Sequence, residues 1–311
     1  SIIISMDIAK RKEVEIFKDS FSYMCVEGKK QDKNIFFFHA TGFNAETYIP
    51  FFLKLGELLD NQYSIYALDQ RGHGLSKAPA IPSELTSWQT YFEDGKHFIR
   101  QFLSSENILM GHSMGGVVAA RLAYDFEDKI QKSILIDPVL QPQSLKFQIP
   151  FFNISNKSFI SLLNFFKKNR ASEMINNAKK RRSVFSDKEE IFKHYQGRGA
   201  FTNWPEESLK AYINGGVIEE KNKINLSCAP EWEAKTFAVS YAARTNFIKK
   251  LSKQIYVPYA SEASTLSPEV RDLLSSNANF LFEKIDGSHF FPMEEKDLIC
   301  SKISTFIKQD E

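Results

Sequence analysis

Apolar and polar positions along the chain follow two patterns. Alternating stretches at Val14 to Phe17 and Tyr23 to Val26, flanking a Lys-Asp-Ser turn, predict an antiparallel hairpin. Beyond it the strand signals become fully apolar, at Ile35 to Phe38, Ser64 to Leu68, Asn107 to Met110 and Ser133 to Ile136. Helix-like stretches at Glu46 to Leu59, Trp88 to Leu103 and Met114 to Tyr124 separate them. Strands apolar on both faces and joined through helices require right-handed crossovers, hence a mostly parallel sheet covered on both sides. The alternation lapses between Gln141 and about Lys250, where only helix-like and irregular segments rich in Phe and Tyr are read, with Asn214-Gly215-Gly216 as a turn. It resumes with a strand at Gln254 to Tyr259, a helix near Pro268 to Leu274, a strand at Phe280 to Ile285 and a closing helix from Glu294 to Lys308. The pattern therefore predicts one α/β domain built from residues 1–140 and 251–311, interrupted by a helical insertion over 141–250.

Composition narrows the class. With 311 residues, 43% hydrophobic and 25% charged, the chain has material for a large core, which excludes a disordered or collagen-like protein. Cys25, Cys228 and Cys300 lie far apart without metal-ligand spacing, so neither a disulfide framework nor a zinc site is expected. No run approaches a membrane span, and Ser1 to Lys10 lacks the form of a signal peptide, so a cytoplasmic protein without integral membrane contact is expected. Net charge is only +2, which argues against a nucleic-acid partner. Its distribution is uneven: Gln141 to Lys250 holds 19 Lys/Arg against 10 Asp/Glu, leaving 21 against 28 in the rest. The run Lys179-Lys180-Arg181-Arg182 reads as a solvated helix end, with attraction of an anionic substrate or surface as the alternative.

The chemistry concentrates at Gly111-His112-Ser113-Met114-Gly115, where a strand runs through a small-x-Ser-x-small turn into a helix. Such a turn strains the serine backbone, demands glycine-sized neighbours and pushes the hydroxyl out at the carboxyl edge of a sheet. Together with His39-Ala40-Thr41-Gly42-Phe43, Asp69-Gln70-Arg71-Gly72-His73-Gly74-Leu75-Ser76 and Gly287-Ser288-His289, in this order, the chain resembles an α/β-hydrolase with a helical cap over essentially its whole length. The resemblance implies a mostly parallel eight-stranded sheet flanked by helices. It also implies Ser113 as nucleophile, His289 as base and oxyanion donors at Met114 and Thr41, without metal or cofactor. His39 and His73 fall in loop motifs that the family uses structurally, while His97 and His194 read as helix surface.

Two carboxylates compete for the triad acid. Asp137 ends the sixth strand, a position some relatives use, whereas the usual loop after the seventh strand offers only Glu262. Asp137 is favoured, with Glu262 as the alternative. His112, Trp204 and Trp232 are candidates for the substrate pocket, and Phe151, Phe152, Phe159, Phe165 and Phe166 add to an aromatic insertion suited to a hydrophobic small molecule. The expected activity is hydrolysis of a carboxylic ester with an apolar acyl group, as in an esterase or lipase. The same residues would also serve a C–C bond hydrolase, a thioesterase or a cofactor-free perhydrolase. Two readings from other classes are a ligand receptor without turnover and, more weakly, a membrane-docking scaffold. Oligomeric state is not legible.

Overall fold

The computed structural model describes residues 8–141, 172–240 and 245–309. The N-terminal strands β1 (Ala9–Ile16) and β2 (Asp19–Val26) form the expected antiparallel hairpin. Then come β3 (Lys33–Phe38), α1 (Ile49–Leu58), β4 (Ser64–Leu68), α2 (Gln89–Arg100), β5 (Glu106–His112), α3 (Met114–Asp125) and β6 (Lys132–Ile136). Eight strands make one sheet in the order β1-β2-β4-β3-β5-β6-β10-β11, where β10 is Gln254–Ala260 and β11 is Phe280–Ile285. From β4 to β11 every pairing is parallel. This is the α/β-hydrolase fold.

Strand β3 shows why the sheet must be covered twice. Ile35 and Phe37 face one apolar cluster, with Phe51, Phe52 and Leu55 of α1 and Ile299, Ile303 and Phe306 of α8 (Lys296–Lys308). Phe36 and Phe38 face the other, with Tyr91, Phe92 and Phe98 of α2 and Val117, Val118 and Leu122 of α3. Each of these fully buried side chains contributes about 1.5–3 kcal/mol relative to exposure. A helical loop between two strands gives every βα turn the same direction, so the turns after β3, β5, β6 and β11 gather at one sheet edge.

Boundaries differ from the sequence reading where local capping intervenes. The stretch expected as one helix from Glu46 is divided into a 3₁₀ turn, Ala45–Tyr48, and α1, because Asn44 caps Thr47 N–H at 3.0 Å and Pro50 opens the next helix. The closing helix starts at Lys296, after a separate turn at Phe291–Glu294.

Between β6 and β10 the described residues include a helical stretch at 172–180, then α4 (Lys188–Tyr195), α5 (Glu206–Gly215) and α6 (Pro230–Ala238). They also include a three-stranded antiparallel sheet, β7 (Val184–Phe185), β9 (Lys223–Leu226) and β8 (Val217–Glu220), where only helical or irregular chain was expected. Its strands are too short to show alternation, and a two-residue turn with Lys221 at φ 53° closes the hairpin. Phe151, Phe152, Phe159, Phe165 and Phe166 lie outside the described residues. Several of the other aromatic side chains are packed on one another: Phe201 lies 4.8 Å from Trp204 and 4.9 Å from Tyr212, and Phe43 of the core reaches Trp204 at 5.3 Å.

Candidate active site

The turn from β5 into α3 can be built only from small residues. A Cβ at Gly111 would stand 2.0 Å from the Gly115 carbonyl oxygen, and one at Gly115 would stand 1.9 Å from that of Phe38. Between them Ser113 adopts φ 58° and ψ −118°, a strained conformation for a side-chain-bearing residue. Two backbone bonds stitch it to the end of β6: Ser113 N–H donates to Ile136 O at 2.9 Å, and Val139 N–H donates to Ser113 O at 3.3 Å. The same segment carries Asp137, itself at φ 38°.

Asp137 is fully buried and its carboxylate is enclosed by donors. It accepts from His289 Nδ1 at 2.5 Å, Thr265 N–H at 3.1 Å, Ala260 N–H at 3.2 Å and the Ser264 hydroxyl. Burial alone would raise this carboxyl, but the bonds from His289, Ser264 and Thr265 hold it below the usual carboxylate range. Glu262 is exposed, and its backbone N–H donates to Gly287 O at 3.1 Å. Of the two carboxylates weighed from sequence, Asp137 is the one bonded to His289.

His289 is held from a second side. Its carbonyl oxygen is 2.9 Å from His112 Nε2, while the Tyr48 hydroxyl is 2.7 Å from His112 Nδ1. A carbonyl can only accept, so Nε2 carries the His112 proton, and Nδ1 must accept from Tyr48. The Tyr48 oxygen in turn accepts the Ala40 N–H at 3.3 Å. Burial, reinforced by the neighbouring His289, pushes the His112 imidazole down to about 3, which keeps it neutral. Tyr48 thus links the loop after β3 to the loop of His289. Sequence reasoning missed it, because nothing local marks one tyrosine of an apolar helix start as a bridge.

Thr41 and Met114 meet across the cleft between β3 and β5, the Thr41 hydroxyl lying 3.4 Å from Met114 Sδ. Among the described residues neither backbone N–H donates to a backbone carbonyl. Met114 opens α3, where the helix dipole favours negative charge. The loop after β3 is set by His39, whose Nδ1–H donates to Ala40 O at 2.8 Å and whose Nε2 accepts Gln70 N–H at 3.0 Å.

The three pocket candidates are placed differently from one another. His112 has both ring nitrogens engaged as described. Trp232 is buried and donates its indole N–H to Arg71 O at 3.0 Å. Trp204 packs between Phe43 and Phe290, the neighbour of His289, and its buried indole N–H has no acceptor among the described residues. No cluster of three or more metal-ligating side chains occurs among the described residues. None of the described helices is long and apolar enough to cross a membrane.

The sequence profile of the family described as serine aminopeptidase, S33, matches residues 29–198, more than half of the chain. The chain belongs to this α/β-hydrolase family. This α/β-hydrolase is 30% identical to Protein ABHD8 of Bos taurus over 114 residues, 36% of this chain and 25% of that protein, so it spans a quarter of that relative's length. Serine hydrolase-like protein 2 of Homo sapiens is 23% identical over 277 residues, 83% of this chain and 82% of that one. Among solved structures, that of E-2-(acetamidomethylene)succinate hydrolase superposes with a TM-score of 0.74 at 17% identity, over 96% of this α/β-hydrolase and 99% of the other. At that identity the likeness is one of fold.

Proposed function

We propose that this α/β-hydrolase cleaves carboxylic esters through a Ser113, His289 and Asp137 triad. The observation that carries the reading is the 2.5 Å bond between His289 Nδ1 and Asp137, at the same sheet edge as the strained Ser113. Asp137 fixes the tautomer in which Nε2 is free to take the Ser113 proton. Ser113 Oγ then attacks the carbonyl carbon, and the oxyanion forms against the N–H groups of Thr41 and Met114. Collapse expels the alcohol, which receives the proton from His289. Water, activated by the same histidine, releases the acid from the acyl-enzyme. Residues 141–250 act in this reading as the cap. Trp204 with Phe43 and Phe290 supports an apolar acyl group, since three rings meet next to the base.

The test is hydrolysis of chromogenic esters of increasing acyl length, with Ser113→Ala beside the wild type. Turnover should fall in the variant by about four orders of magnitude or more. Equal turnover in the two proteins would remove Ser113 from the reaction.

A further inference from the structure

A buried ion pair carries the region after β6 into contact with the loop after β3. Arg181 belongs to the basic run that sequence reads as solvated, yet its side chain is only 17% exposed and that of Glu233 only 11%. Nη1 donates to Glu233 Oε2 at 2.8 Å, Nε donates to the Tyr195 hydroxyl at 3.0 Å, and Nη2 donates to the Tyr212 hydroxyl. With all three nitrogens engaged, the guanidinium serves the protein's own carboxylate.

The other oxygen of Glu233 faces Gly42. A methyl group on Gly42 would lie 2.4 Å from Glu233 Oε1 and 3.6 Å from Arg181 Nη1. Gly42 sits at φ 80°, where glycine is favoured. The residue after Thr41 is thus packed directly against Glu233. Glu233 is itself anchored, because its helix α6 is bonded to the core through the neighbouring Trp232 and Thr236. Trp88 Nε1 donates to Thr236 O at 3.0 Å, the Tyr91 hydroxyl meets Thr236 Oγ1 at 2.7 Å, and Trp232 Nε1 holds Arg71 O.

Electrostatics makes the pairing necessary for chemistry at this loop. A bare carboxylate one residue from an oxyanion donor opposes the charge that develops there, with little water to screen it. We infer that Arg181 and Glu233 are positioning residues: together they fix Gly42, and so the Thr41 N–H, while Arg181 cancels the carboxylate charge. The inference rests on the reading of Thr41 as an oxyanion donor to a Ser113 reaction.

The experiment measures ester turnover and, separately, the rate at which a fluorophosphonate labels Ser113, a P–O bond forming as fluoride leaves. Arg181→Gln should slow both by about ten- to a hundredfold with KM changed less than about threefold. Adding Glu233→Gln, which removes the unpaired charge, should return both rates to within about threefold of wild type, whereas Arg181→Lys, which keeps the charge but cannot reach all three partners, should be slowed by about three- to tenfold. If Arg181→Gln does not fold, Arg181→Lys decides alone, and wild-type rates in it overturn the positioning role. A folded double variant as slow as the single, or an Arg181→Gln protein with wild-type rates, overturns the positioning role while leaving the triad standing. A wild-type protein that is not labelled at Ser113 overturns the triad reading and this role with it.

Discussion

His112, the residue before Ser113, donates its Nε2 proton to the carbonyl of His289 at 2.9 Å, so the nucleophile turn grips the loop of the candidate base directly. The grip depends on Tyr48, which fixes the His112 tautomer. Tyr48→Phe strands His112 Nδ1 and the Ala40 N–H, both in a buried setting, and should cost about 1–3 kcal/mol in stability. Turnover should fall about tenfold at nearly constant KM, read by denaturant unfolding beside steady-state kinetics.

The two carboxylates weighed from sequence separate cleanly by mutation. Asp137→Asn leaves the shape intact but presents the wrong hydrogen-bonding partner to His289 Nδ1, and should lower kcat by about 10⁴-fold. Glu262→Gln, at an exposed side chain, should stay within about twofold. The reverse ranking would transfer the acid role to Glu262.

Stability should fall as the solution is acidified from neutral. Burial pushes His39 down to about 4 and His73 and His112 down to about 3, from an ordinary value of 6.5. Between those values and 6.5 the unfolded chain binds protons that the folded chain does not, so the unfolded state gains as pH drops. Each histidine contributes a slope of about 1.4 kcal/mol per pH unit in that window. Asp137, held below 3.8, adds its own loss as pH drops through about that value, where the unfolded carboxyl binds a proton that the folded one does not. Urea titrations at pH 7.5, 6 and 5 would show the trend, and a flat profile would mean these rings are solvated.

Gly115→Ala places a methyl group 1.9 Å from the Phe38 carbonyl oxygen, at the carboxyl end of a strand paired on both sides, which cannot move aside. The substitution should destabilise the protein by about 3 kcal/mol and abolish labelling at Ser113. An active, stable variant would show that the turn has slack.

Much of this organisation is written locally. Pro268–Leu274 and Phe280–Ile285 end where the pattern predicts, because proline and the change from apolar to polar mark their limits. Gly111 and Gly115 are legible because the turn rejects anything larger. The three-stranded sheet after β6 is not, since two- and four-residue strands are shorter than the period that would reveal them. Arg181 was misplaced for a related reason: its partner Glu233 is 52 positions away, and a run of basic residues carries no mark of which one turns inward. Asp137 over Glu262 likewise depends on a left-handed backbone and a cradle from Ser264 and Thr265, all properties of the folded state.

Strand β6 pairs with β10, Ile134 lying opposite Tyr256, across the whole span after β6. A ribosome delivering this chain therefore presents Ser113 and Asp137 long before His289 exists. Under the proposed mechanism the nascent protein holds the candidate nucleophile and acid without the candidate base between them, and is expected to stay inert. Closing so long a loop is entropically costly and slow, so under the proposed mechanism the last strands to dock are also the ones that complete the triad.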